Sequence, residues 1–367
     1  MKNQFPVPVP LLASAIFGVI ALLFAGCDAL RDNERKIPQP PIEKQRGVHV
    51  FGRVDSTNLT RLHQDNVEWV TLVPWGHQND IDSREVRHHN GDSLSIMFHD
   101  SSWTHQIQEF REAGFKVFYK PHLWLRSPPE GMWRSDVHSP NEAHWATWSA
   151  TYRNFILRYA KVAERGQAEM FCIGTEFTRL SAERPDFWRK LIQEVREVYS
   201  GELTYAANWY KEYEQVTFWD DLDYIGIQAY FPLTEHENPE IAQVAAGWGK
   251  HLSAIKSVYD CYDRPVLFTE LGYKSTSDSA IEPWVWVDYG EDRNHNYSLE
   301  TQTNCYQAFF DAVWTQNWFA GVHLWQFRGD YKERNGEINT DFNPQGKPAE
   351  TVISKGFART PTSEARK

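Results

Sequence analysis

The sequence has little cysteine and little methionine, four of each in 367 residues, and it contains no run of lysine and arginine. The first scarcity excludes a small disulfide-held scaffold. The absence of a Lys/Arg run, with a formal charge of −11, leaves no electrostatic footprint for nucleic acid or anionic lipid, so a neutral ligand fits better. No G-x-G-x-x-G follows the first predicted strand and no G-x-x-x-x-G-K-[ST] occurs, which removes the main support for nucleotide binding. At 41% hydrophobic and 24% charged residues the chain is neither disordered, collagenous nor coiled-coil. What it has in surplus is aromatic: Trp 16, Tyr 16 and Phe 21, more than a core needs if many of these rings lie in loops.

Long apolar runs are also missing. Leu11 to Phe24 gives about 14 residues, short of the roughly 20 that span a bilayer but suited to the core of a signal peptide. Ala25 and Gly26 then precede Cys27, a pattern resembling the bacterial lipobox. Residues 1–26 are therefore expected to be a lipoprotein signal and Cys27 the lipidated N-terminus, which places the protein in a bacterial cell envelope. The polar stretch 27–45, with Pro38, Pro40 and Pro41, reads as a tether, 46–357 as one catalytic domain and 358–367 as a flexible tail. Cys172, Cys261 and Cys305 remain. A strand and helix running antiparallel would hold Cys261 and Cys305 too far apart to bond, so no disulfide is expected.

From Arg46 onward, short apolar runs rich in β-branched residues alternate with segments of helical period. Eight strand candidates follow: 47–51, 67–74, 115–122, 169–176, 203–209, 224–230, 265–271 and 321–327. Between them lie single apolar stripes such as Trp148, Tyr152, Phe155 and Tyr159, spaced for one helix face. This alternation predicts an α/β fold, a single-domain (β/α)₈ TIM barrel. The connections into the strands are short, whereas those after strand C-termini are long, notably 76–101, 124–141, 231–239 and 274–299. Long loops in a compact domain are usually functional, and a barrel of this kind builds its active site on that face.

The residues that end the strands are Trp75, His122, Glu176, Asn208, Tyr230, Glu270 and Trp325. A carboxylate at the end of an apolar strand costs free energy unless it is paired or faces a cleft. Two of them, on nearly opposite strands four and seven, are what glycoside hydrolysis requires: one protonates the leaving oxygen while the other attacks or activates water. Tyr230 is placed to hydrogen-bond the nucleophile and Trp325 to offer a face to a sugar ring, with His122 and Asn208 binding hydroxyls. Trp124, Trp133, Trp284, Trp286 and Tyr289 fall in the loops of the same side, as stacking rings or as pins for the loops. A metal-dependent hydrolase is the competing chemistry, since His49, His122 and His323 lie in strands, but strand one carries no H-x-H.

Several runs then resemble glycoside hydrolase family 113. They are Phe171-Cys172-Ile173-Gly174-Thr175-Glu176-Phe177, Leu203 to Trp209, Asp223 to Leu233, Phe268-Thr269-Glu270-Leu271-Gly272-Tyr273 and Asp341 to Glu350. The resemblance implies a clan of retaining (β/α)₈ glycosidases in which Glu176 is the acid/base and Glu270 the nucleophile. It implies a β-1,4-mannan or manno-oligosaccharide substrate, cut without metal or organic cofactor. The expected contacts to sugar are Trp75, His122, Trp124, Thr175, Asn208, Trp209, Tyr230, Trp284 and Trp325. Thr175 departs from the clan, which places Asn there to hold the 2-hydroxyl. A different β-glycan, exo action, or a glycan-binding lipoprotein without catalysis are the alternatives.

Overall fold

Eight parallel strands close into a barrel in the computed structural model, which describes residues 43–88, 99–286, 296–333 and 338–359. They are β1 (Gln45–Phe51), β2 (Trp69–Leu72), β3 (Lys116–Tyr119), β4 (Met170–Thr175), β5 (Glu202–Asn208), β6 (Tyr224–Gln228), β7 (Val266–Leu271) and β8 (Phe319–Arg328). The strands follow one another around the barrel in chain order, and β8 pairs with β1 to shut it. Each expected strand is present, and the TIM barrel is the fold.

The helices form where the stripes predict them. Glu142–Gly166 is opened by the Asn141 side chain accepting from His144 N–H, which satisfies one of the orphan donors of a first turn. Its stripe of Trp148, Tyr152, Phe155 and Tyr159 is buried against the barrel. In Ile241–Tyr262, a Cβ at Gly247 would lie 2.0 Å from the Leu233 carbonyl oxygen. Only glycine lets this helix touch the loop that leaves β6. Among the described residues no helix is long and apolar enough to cross a membrane.

Third of the expected strands, 115–122 is interrupted. Pro74 and Pro121 lack the N–H a ladder needs, so β2 and β3 stop short and the chain resumes as Trp75–Gln78 and His122–Leu125. These pair with each other, and Trp75–Gln78 pairs on its other edge with Arg87–His88, in a small sheet over the barrel mouth. Trp75 and His122 therefore begin accessory strands, directly opposite one another, rather than ending barrel strands.

Two boundary expectations need correction. Gln45 belongs to β1, not to a tether, because it pairs with Gly321 and is buried; Lys44 is fixed by donating to the Gln316 and Phe319 carbonyls at 2.8 and 2.7 Å. Arg359, placed in the tail, is held by the Phe310 carbonyl and the Asp311 carboxylate. Cys172 and Cys305 are free and buried, so no Cys261–Cys305 bridge exists. The signal segment, Cys27 and Tyr289 lie outside the described residues.

At the other side of the barrel, Ser56–Gln64 ends on Asp65, whose carboxyl lies against Glu350. Burial, then the charge and hydrogen bond of Glu350, push Asp65 up to about 8, so the folded protein holds a proton that the unfolded chain releases near 4. That contribution to stability is complete below about pH 4 and lost as pH rises through 8. Asp65→Asn, whose amide donates to Glu350 as the protonated acid does, should gain roughly 1–2 kcal/mol relative to wild type between pH 5 and 9. Urea denaturation at both pH values measures this; an unchanged difference contradicts the shared proton.

Candidate active site

Glu176 and Glu270 line one cavity of about 540 Å³ at the C-terminal mouth of the barrel, a volume ordinary for a small-ligand site. Glu270 lies within β7 and is 4% exposed. Its Oε1 accepts from Lys120 Nζ at 2.5 Å and its Oε2 from Tyr230 Oη at 2.9 Å. Lys120 also donates to Gln228 Oε1 at 2.8 Å. Gly272 permits this packing, since a Cβ there would meet the Trp325 carbonyl oxygen at 2.4 Å.

Lys120 is the cation in direct contact with Glu270. Burial pushes the Lys120 ammonium down and the Glu270 carboxylate, with a smaller part from Glu176, pulls it back up, as expected for a buried cation beside carboxylates. His122 Nε2 and His49 Nε2 stand 3.4 and 3.8 Å from Oε1, yet burial, followed by the Lys120 charge, holds both imidazoles well below their usual range. They are neutral. Arg134 Nη1 faces His122 Nδ1 at 3.3 Å; because a guanidinium only donates, Nδ1 accepts and the proton is assigned to Nε2, toward Glu270. Tyr230 is pushed well above its ordinary value, first by burial and then by Glu270, and remains a donor.

Glu176 follows β4 with φ +57°, a left-handed conformation that side-chain-bearing residues rarely adopt. Its N–H donates to the Ala206 carbonyl at 2.9 Å, and Arg134 Nη2 donates to Oε2 at 2.7 Å. The turn presents the carboxyl to the cavity rather than to the strand's own ladder. Each glutamate thus meets a different cation, one from a strand end and one from a loop.

Of the residues expected to touch sugar, Trp75, His122, Trp124, Asn208, Trp209, Tyr230, Trp284 and Trp325 all line the cavity. Trp209 and Trp284 stack at 4.9 Å, Trp75 and Trp124 meet edge to face at 5.7 Å, and Trp286 meets Trp325 at 6.0 Å. The tryptophan surplus is here. Thr175 is the exception: it is 1% exposed and absent from the lining. The β4–β5 register shifts between Cys172 and Thr175, and full burial leaves the hydroxyl no surface to offer a sugar. Among the described residues no group of three or more His, Cys, Asp or Glu is arranged to hold a metal ion. His323 instead bonds Thr71 and Gln45, and His49 the Leu324 carbonyl.

Sequence reasoning missed Lys120 and Arg134. A lysine closing the apolar run Val117-Phe118-Tyr119 carries the same signal that singled out the glutamates, a charge where burial demands a partner. For Arg134, in a loop, no periodic pattern fixes where the side chain goes.

The sequence profile of glycoside hydrolase family 113 matches residues 45–347. Among solved structures, one described as a complex of a family 113 β-1,4-mannanase is 30% identical, with a TM-score of 0.72, covering 87% of this chain and 100% of its own. The β-mannanase AaManA from Alicyclobacillus acidocaldarius, in complex with ManMIm, is 26% identical with a TM-score of 0.70, covering 87% of this chain and 98% of its own. A β-glucuronidase from Faecalibacterium prausnitzii shares the fold at 13% identity, with a TM-score of 0.54, covering 88% of this chain and 50% of its own. No curated protein matches.

Proposed function

The chain belongs to glycoside hydrolase family 113, and on that premise we propose that it hydrolyses β-1,4-linked mannan or manno-oligosaccharides with retention, by double displacement. The observation that carries this reading is Glu270 clasped between Lys120 and Tyr230 in the same tryptophan-lined cavity that holds Glu176. A pair of carboxyl groups in an aromatic cleft supplies what an oxocarbenium-like transition state needs. The printed descriptions of its 30%- and 26%-identical relatives as mannanases support the substrate.

In the first step Glu270 attacks the anomeric carbon, the glycosidic C–O bond breaks, and Glu176 gives its proton to the departing oxygen. Arg134 donates to Oε2, so the transferred proton is assigned to Oε1. In the second step water attacks the same carbon, Glu176 takes a proton from that water, and the bond to Glu270 breaks. Tyr230 and Lys120 steady the Glu270 carboxylate before it attacks and after it leaves.

Proton NMR of the anomeric signals during hydrolysis of manno-oligosaccharides tests the reading. The β-anomer should appear first. Early α-anomer would defeat double displacement; intact manno-oligosaccharides beside a cleaved panel of other β-glycans would move the specificity, and single-sugar release from one end would make the enzyme exo-acting.

We propose also that the chain is anchored in a bacterial envelope by lipid at Cys27, on the strength of the apolar run and small residues before it. Mass analysis of the peptide carrying Cys27 should show a diacylglyceryl thioether, and any other covalent state of that sulfur ends the proposal.

A further inference from the structure

Glu212 opens the short helix Glu212–Gln215 after β5; it is fully buried and no part of the cavity wall. Four donors meet its two oxygens. Tyr205 Oη and Ser181 Oγ donate to Oε1 at 2.5 and 2.9 Å, while Asn208 N–H and Thr178 Oγ1 donate to Oε2 at 2.7 and 3.2 Å. An ionised carboxylate accepts on both oxygens and matches that set; burial pushes Glu212 up to about 7, against the downward pull of the bonds from Asn208, Tyr205 and Ser181. Such a group is costly to bury and so is found where geometry depends on it.

Two of these bonds lead to the cleft. Tyr205 Oη, while donating to Glu212, accepts from Phe177 N–H at 2.9 Å, and Phe177 directly follows Glu176 with its left-handed backbone. On the other side Glu212 grips the backbone of Asn208, the cavity residue that ends β5. We infer that Glu212 is a positioning residue that holds Glu176 and Asn208 in register across β4 and β5, through the Tyr205 hydroxyl and the Asn208 N–H. The inference rests on Glu176 as the acid/base of the proposed reaction.

In kcat/KM, which reports the first step, a group that places the proton donor matters most when the leaving group needs a proton. Glu212→Gln keeps the volume and changes the donor pattern, and the full chain carrying it should lose roughly 10- to 100-fold in kcat/KM on manno-oligosaccharides, a share of what acid–base catalysis supplies. On an activated aryl β-mannoside, whose phenolate departs unassisted, kcat/KM should fall by several-fold less, keeping only the part of the loss that comes through Asn208. Tyr205→Phe, which cuts only the branch to Phe177, should show the same selectivity with a smaller loss. Equal losses on both substrates, or none on the oligosaccharide, overturn the inference. A crystal structure of the Glu212→Gln chain should show Glu176 and Asn208 displaced by about 1 Å relative to Glu270, a shift large enough to matter to rate; an unmoved pair overturns it too. If the wild-type chain cuts no β-mannoside, the substrate reading falls and the crystal structure alone decides the role of Glu212.

Discussion

Glu270→Gln should reduce turnover of manno-oligosaccharides by roughly 10⁴-fold or more, the scale on which loss of a covalent nucleophile acts. The amide has nearly the shape of the carboxylate and keeps an oxygen for Lys120 or Tyr230, so substrate binding, judged by KM, should change little. What it lacks is a lone pair able to displace the glycosidic oxygen. Glu176→Gln should differ in kind, its loss being large on oligosaccharides and small in kcat/KM on activated aryl glycosides. Steady-state kinetics of the two variants on both substrates separates the roles. Activity of Glu270→Gln within tenfold of wild type would remove the nucleophile assignment, and with it the double displacement.

Why the sequence disclosed Glu270 and not its surroundings is a matter of range. A carboxylate at the end of Val266-Leu267-Phe268-Thr269 is an anomaly visible within one strand, and period-2 and period-3.6 patterns reveal strands and helices for the same local reason. All eight barrel strands were legible in this way. The contact between Lys120 and Glu270 spans 150 residues, and nothing local records it. The accessory sheet was hidden by Pro74 and Pro121, which cut two ladders whose register nevertheless continues through Lys120 N–H to the Leu72 carbonyl and His122 N–H to the Pro74 carbonyl. Thr175 was expected at the sugar from the resemblance, by its place before Glu176, whereas the structure buries it away from the cavity lining. Glu212 gave no signal, because a glutamate four residues from a strand end, beside Lys211, looks like a solvated turn.

Lys120→Met is the sharper test of the site's electrostatics. Lys120 is 0% exposed and its ammonium meets two oxygens, Glu270 Oε1 and Gln228 Oε1. Methionine replaces the stem and removes the charge, which leaves the Glu270 carboxylate buried with Tyr230 as its remaining donor and two neutral imidazoles nearby. Kinetically, kcat/KM should fall about 10²- to 10³-fold, the scale seen when a preorganised donor at a reacting oxygen is removed. Thermodynamically, breaking a buried pair from one side costs about 3–5 kcal/mol, because an uncompensated charge stays behind. Glu270→Gln should carry a penalty of the same origin, with Lys120 as the stranded partner. The double variant strands neither, so its unfolding free energy should exceed the additive value by at least about 1–2 kcal/mol in urea denaturation. All three variants would be poor catalysts, but only the singles would be poorly stable. That divergence is what a pair held for chemistry rather than for stability requires, and additive losses would show that Lys120 and Glu270 are not coupled.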